Sequence, residues 1–274
     1  MIFDAHVHFW NYNPQRDIWI DENMEAIKRN FSPEDYLQAV QDQEVQGCMA
    51  VQAAESEEET EFLLKLAEEH DIIKGVVGWV DLTAEDVAEK LEKFSSNPYL
   101  KGVRYVLQDK ENDFCLNKTF LSGISKLQAY ELTYDILVDH RQLNSVIHLV
   151  EDFPGQPFVL DHLGKPDIQN IKFQEWKKNI ERLAEFPNLH CKLSGLITEA
   201  DWNSWKPENF KPYLDTVFTF FGTERVFFGS DWPVCNLAGD YDAVTALLAD
   251  YTSIFSKSEK EAIFYENALR FYNI

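Results

Sequence analysis

The chain has 274 residues, 45% of them hydrophobic, and a net charge of −22 from 47 acidic against 25 basic side chains. That excess argues strongly against nucleic acid and anionic membrane as partners, since no basic stripe is left to grip a phosphate-rich surface. The length fits one domain over residues 1–274, and Cys48, Cys115, Cys191 and Cys235 lack any paired spacing; with no signal peptide or long apolar segment, free thiols in a reduced, soluble, cytoplasmic protein are expected.

Short apolar runs alternate with amphipathic stretches along the chain. The first run, residues 2–5, leads into Asp4-Ala5-His6-Val7-His8. Residues two apart in a strand point the same way, so His6 and His8 converge on one point, where they hold a metal ion or a substrate oxygen. Residues 11–31 follow, flanked by Trp10 and carrying Tyr12, Trp19 and Ile20. This stretch is too long for a simple connection and is expected to fold over the mouth as an aromatic cover. Ser32-Pro33-Glu34-Asp35 then starts a helix, with Ser as cap and Pro in the first turn.

The second run, 47–52, ends at Gln52, and the acidic stretch 55–61 opens an exposed helix. The third, 74–80, carries Trp79, and Thr83 to Asp86 predicts a capping box before Val87. The fourth, 102–106, contains Arg104, and the fifth, 134–138, is followed by Asp139-His140-Arg141. The sixth, 158–161, passes into His162-Leu163-Gly164-Lys165-Pro166. The seventh, 189–193, carries Lys192 and is followed by Ser194, and the eighth, 225–229, delivers Ser230-Asp231-Trp232-Pro233. Ser256 to Glu259 caps a last helix. Eight such alternations predict a (β/α)8 TIM barrel with an aromatic-rich loop after strand one.

In that fold the chemistry lies at the C-terminal ends of the strands. His6, His8, His140, His162 and Asp231 share that rim, whereas His70 and His190 fall elsewhere and read as structural. Asp231 is the candidate general base. His6, His8 and one of His140 or His162 are candidates to ligate a metal or to donate to a carbonyl oxygen. Arg104 inside a strand must meet an internal carboxylate or a substrate oxygen. Asp161, next to His162, is placed to orient an imidazole.

The Asp-Ala-His-Val-His opening and Gly229-Ser230-Asp231-Trp232-Pro233 resemble the amidohydrolase superfamily, specifically its amidohydrolase-related branch of sugar-lactone hydrolases. The match continues through His8-Phe9-Trp10, Phe31-Ser32-Pro33, Lys101-Gly102-Val103-Arg104, Asp161-His162-Leu163-Gly164-Lys165-Pro166, Lys192-Leu193-Ser194-Gly195 and Asn267-Ala268-Leu269-Arg270. The resemblance implies hydrolysis of an aldonolactone, with L-fuconolactone and L-rhamnonolactone as family substrates. It places His6, His8, His162 and Asp231 in the active site and Arg104 at the substrate. Asp231 would activate water, the histidines would polarise the carbonyl, and His140, Gln52, Trp10, Trp19, Trp79 and Trp232 would line the sugar site. Binuclear members carry a bridging lysine after strand four; Arg104 stands there instead, which argues against two metals. Either no metal or one divalent ion such as zinc, on His6, His8 and Asp231, is expected.

Two other functions compete: a metal-dependent decarboxylase of an aromatic or unsaturated acid, and a non-catalytic sugar-acid-binding barrel. The sequence permits a homo-oligomer and leaves the particular lactone open.

Overall fold

The computed structural model describes residues 1–170 and 173–274. Eight parallel strands pair in sequence order: β1 (Ile2–Val7), β2 (Val45–Val51), β3 (Ile73–Gly78), β4 (Leu100–Val106), β5 (Thr133–Leu137), β6 (Phe158–Leu160), β7 (Leu189–Leu193) and β8 (Val226–Phe228). A parallel bridge between Val7 and Trp232 brings the last strand back to the first. The return helices are α1 (Pro33–Ala39), α2 (Glu57–Glu69), α3 (Val87–Ser95), α4 (Lys118–Leu127), α5 (Leu143–Asp152), α6 (Phe173–Leu183), α7 (Pro207–Phe221) and α8 (Tyr241–Tyr251). The chain then runs through α9 (Lys257–Glu261), a π-turn at Ala262–Glu266, and α10 (Asn267–Tyr272). The expected (β/α)8 barrel is the observed fold.

The barrel buries apolar side chains in two zones. Strand faces turned outward pack against the helices, as Tyr134 does against Phe120 of α4, with Phe158 of the neighbouring β6 on its other side. Inside, Phe3, Ala5, Met49, Val51, Val77, Val159 and Phe227 fill the lower half, with Ala268 and Tyr272 of α10 against them. Lys101, near the start of β4, donates to the Asn273 carbonyl at 3.2 Å, which puts α10 at the N-terminal end of the strands. The bottom of the barrel is thereby plugged, and the polar groups collect above the plug.

Two of the three expected caps form. Ser32 and Asp35 cap α1 reciprocally, and Ser256 and Glu259 do so for α9; such a cap contributes about 1 kcal/mol. Thr83 does not cap α3. Its hydroxyl donates to Asp81 Oδ1 at 2.6 Å, and the helix begins at Val87 without a side-chain cap. The acidic run opens α2 behind Ser56 as expected, except that Glu59 is buried and accepts from the Ala53 and Ala54 backbone N–H groups at 2.5 and 2.9 Å. All four cysteines are free and buried. Among the described residues no helix is long and apolar enough to cross a membrane.

The segment 11–31 is tied at its base by an antiparallel bridge between Trp10 and Phe31, while the Trp10 indole donates to the Arg29 carbonyl at 2.8 Å. Further along, Asp21 and Asn23 border the same cavity as His140, Lys165, Glu199 and Trp202. The loop therefore reaches from β1 to the connections after β5, β6 and β7, crossing the mouth as expected.

Candidate active site

β1 runs two residues further than the apolar run suggested, so His6 lies within the strand and His8 just beyond it. Its pairing with β2 shifts register between Asp4 and Val7. Asp4 accepts from Ser230 N–H at 2.8 Å and from the Tyr36 hydroxyl at 3.1 Å, which anchors β1 to the loop after β8. Burial pushes its carboxyl up to about 6, against those hydrogen bonds. The barrel closes directly above, where Asp231 N–H donates to the His6 carbonyl at 2.9 Å and His8 N–H to the Trp232 carbonyl at 2.8 Å.

Two glycines make room for the imidazoles. A Cβ on Gly229 would stand 2.7 Å from the His6 Cβ, and one on Gly195, which has a φ of +64°, would stand 2.6 Å from His162 Nδ1. Asp231 and His162 themselves adopt left-handed backbone, with φ of 59° and 54°. Such a conformation costs about 1 kcal/mol for a residue with a Cβ, and it turns both side chains into the centre.

His6 Nε2 lies 3.2 Å from His8 Nε2 and 3.7 Å from Asp231 Oδ1, and His8 Nε2 lies 3.3 Å from the same oxygen. Two ligand atoms bound about 2.1 Å from one ion stand about 3.4 Å apart in a tetrahedral site. The three atoms therefore fit a single divalent ion with nitrogen and oxygen donors, and all three residues are buried. His6, Asp161 and His162 form a second cluster of suitable atoms. Asp161, however, already faces Lys192 at 3.0 Å and Arg104 at 3.1 Å, and those cations disfavour another positive charge.

A buried ionic layer supports the centre from below. Lys192 Nζ lies 2.5 Å from Asp135 Oδ2, 3.0 Å from Asp161 Oδ1 and 3.2 Å from His6 Nδ1. Tyr272 of α10 donates to Asp135 Oδ2 at 2.7 Å. Arg104 Nη1 approaches Asp161 Oδ2 at 3.1 Å and His6 Nε2 at 3.2 Å, while its Nη2 donates to the Gln52 carbonyl. Arg104 thus meets the internal carboxylate of the two alternatives. Asp161 sits 3.6 Å from His6 Nδ1, so it orients His6 and not its sequence neighbour His162, whose Nδ1 pairs with Ser194 Oγ at 2.8 Å.

These surroundings set the ionisation. Burial alone would raise Asp231, but His162, His8 and His6 outweigh it and hold the carboxyl well below its usual range. Asp161 is likewise held low, Lys192 and His6 prevailing over burial. Burial drives His6 well down and lowers His162 to about 4. Near neutral pH the centre thus holds an ionised Asp231 beside neutral His6 and His162, and an ionised carboxylate is the state a general base requires.

The remaining rim residues divide. Gln52 follows β2 and donates to the Arg104 carbonyl at 3.3 Å, with its own amide oxygen buried and unpartnered; the Trp79 indole N–H is also buried and unpartnered. His140 lines the mouth cavity and stands outside both metal-competent clusters. Trp10 is buried between Trp19 and Phe31. Trp232 is buried among Phe9, Phe31 and Tyr36, which gives its ring to core packing. His190 packs on Phe227 and Phe271, and His70 ends α2 beside Glu34, both structural as expected. Sequence reasoning assigned no role to Lys192 or Asp135. The signal was there: a cation and a carboxylate inside apolar strands are as costly unpaired as Arg104.

A parallel barrel with two imidazoles from β1 and a carboxylate after β8 at one buried point defines a barrel enzyme of the His-x-His/Asp type. The chain belongs to the amidohydrolase family, whose sequence profile matches residues 3–274. It is 36% identical to the L-fucono-1,5-lactonase of Burkholderia multivorans, across 98% of this chain and 95% of that protein. It is 34% identical to the L-fucono-1,5-lactonase of Burkholderia ambifaria, across 99% and 95%. A crystal structure of an amidohydrolase from Burkholderia multivorans with bound zinc superimposes with a TM-score of 0.96 at 36% identity, covering 100% of this chain and 99% of that one.

Proposed function

We propose that the protein hydrolyses a sugar lactone to the open hydroxy acid, with Asp231 as general base. The observation that carries this is the convergence of an ionised Asp231 and the His6 and His8 nitrogens within 3.7 Å, in a family whose similar members are named L-fucono-1,5-lactonase.

A lactone is an activated ester, so one positioned base and a few hydrogen-bond donors meet its needs. His8 Nδ1 lies 2.7 Å from the Val51 carbonyl, an acceptor, so that nitrogen carries a proton and fixes the ring with Nε2 3.3 Å from Asp231 Oδ1. His8 is therefore proposed to orient Asp231 toward the attacking water. His6 and His162 take the donor side, with the His162 ring held at Nδ1 by Ser194 Oγ, 2.8 Å away. Asp231 removes a proton as the water oxygen bonds to the carbonyl carbon. The ring C–O bond then breaks, and Asp231 returns that proton to the departing oxygen. A divalent ion held by His6, His8 and Asp231 would supply Lewis acidity at the same point.

The mouth cavity, about 720 Å³, supports a neutral substrate. Among the described residues, Asp21, Asp139, Glu199 and Asp201 line it with Arg141 and Lys165, which pair with Asp139 and Glu199 and leave Asp21 and Asp201 in excess. Such a lining repels an anionic acid, which disfavours the decarboxylase, and it also repels the anion that lactone opening creates. Gln52, Trp79, Trp10 and His140 are proposed to contact the sugar. Arg104 is proposed to act there only through Asp161 and His6.

The test is acid release from neutral aldonolactones, L-fuconolactone first, followed with a pH indicator and repeated with chelator. Acid release that disappears in Asp231→Asn is the expected result. Carbon dioxide from an aromatic acid, or no turnover of any aldonolactone, would overturn the proposal.

A further inference from the structure

We propose that Lys192 is a positioning residue that fixes the proton of His6 on Nε2 and thereby weakens divalent-metal binding at His6, His8 and Asp231. Nothing in this inference depends on the identity of the substrate.

An ammonium group has three N–H donors and no acceptor. Lys192, fully buried, has three acceptors within reach: Asp135 Oδ2, Asp161 Oδ1 and, at 3.2 Å, His6 Nδ1. The third bond requires a lone pair on His6 Nδ1, so a neutral His6 carries its proton on Nε2. Two contacts oppose it: Asp161 Oδ1, 3.6 Å from His6 Nδ1 and so farther than Lys192, and Arg104 Nη1, which lies 3.2 Å from His6 Nε2 and already has Asp161 Oδ2 at 3.1 Å.

A divalent ion needs the opposite tautomer. It takes the lone pair of Nε2, and the imidazole proton moves to Nδ1, where a carboxylate ordinarily receives it and makes the ligand more basic. Here Asp161 waits at 3.6 Å, but Lys192 stands closer and presents a donor to the same nitrogen. Metal binding must therefore turn Lys192 away from His6 within a packed interior. His6 stays neutral throughout; only the position of its proton changes.

Removing Lys192 alone would leave Asp135 and Asp161 short of a cation, so the variant to use is Lys192→Met with Asp135→Asn, which removes one charge of each sign. Its zinc affinity, measured by competition with a chromogenic chelator, should be at least about 10-fold tighter than that of the wild-type chain, the range that outer partners of metal-bound imidazoles command. Unchanged or weaker affinity would overturn the proposal. A second measurement needs no variant. Nitrogen-15 spectra of the metal-free wild-type protein should show His6 protonated at Nε2, and a proton found on Nδ1 would refute the assignment whether or not the double variant folds.

Discussion

The backbone N–H of Asp231 donates to the carbonyl of His6 at 2.9 Å, so the hydrogen bond that closes the barrel also sets the distance between the candidate base and the first imidazole. The side chains meet at 3.7 Å because the main chains are already joined. Precision at this site comes from the sheet, a more rigid support than a loop.

If Asp231 is the base, Asp231→Asn should lower kcat on the best lactone by about 10³-fold, within the range for a positioned acid–base group. The melting temperature should change little, since the amide keeps the volume and the backbone hydrogen bond. Steady-state kinetics beside thermal denaturation checks both; retained turnover would remove Asp231 from its role.

Arg104 is bound to Asp161, His6 and Gln52, not to the mouth. Arg104→Met should therefore destabilise the fold by about 3 kcal/mol, the cost of breaking a buried ion pair from one side. Urea unfolding measures that loss. A raised KM with unchanged stability would instead make Arg104 a direct substrate contact.

Gly195→Ala places a methyl group 2.6 Å from His162 Nδ1 at a φ of +64°. We expect kcat to fall at least about 10-fold through displacement of His162, with a stability loss of about 1 kcal/mol from the backbone alone. Gly155→Ala, whose neighbours are the flexible Gln128 amide atoms at 3.2 Å and beyond, is the matched control and should leave kcat unchanged.

His190 supplies a pH test away from the centre. Burial, aided by Arg225 and Arg270, lowers its imidazole to about 4 from an ordinary 6.5. Between those values the unfolded chain binds a proton that the folded chain refuses, so this residue's contribution is intact above pH 6.5 and is lost as pH falls toward 4. His190→Phe keeps a ring against Phe227 and Phe271 and removes the titration. The wild-type chain should lose about 2 kcal/mol relative to this variant between pH 7 and 4, allowing for the ring's partial exposure. A constant difference across that range in urea unfolding would contradict the assignment.

The fold and the upper half of the site were legible because their signals are local. Strand spacing announced the barrel, and a two-residue repeat announced the His6–His8 pair. The lower half was not, because pairing there joins distant strands: Lys192 with Asp135 and Asp161, Arg104 with His6. Asp161 was expected to orient an imidazole, but which one was not legible: the turn after β6 sends His162 toward Ser194 and leaves Asp161 facing His6. Trp232 was drawn toward the mouth by its place beside Asp231, whereas the left-handed backbone at Asp231 separates the two, and Trp232 enters the core. Thr83 offered a helix cap, but Asp81, two residues earlier, took its hydroxyl first.

Tyr272 reaches His6 through only two intermediaries, Asp135 and Lys192. A histidine of β1 is therefore steadied by a phenol of α10, from beneath the barrel floor. A truncation that removes α10 would keep every proposed catalytic side chain and still leave the Asp135 carboxylate short of one donor. The proposed hydrolysis should therefore suffer in such a variant even where the eight strands have paired.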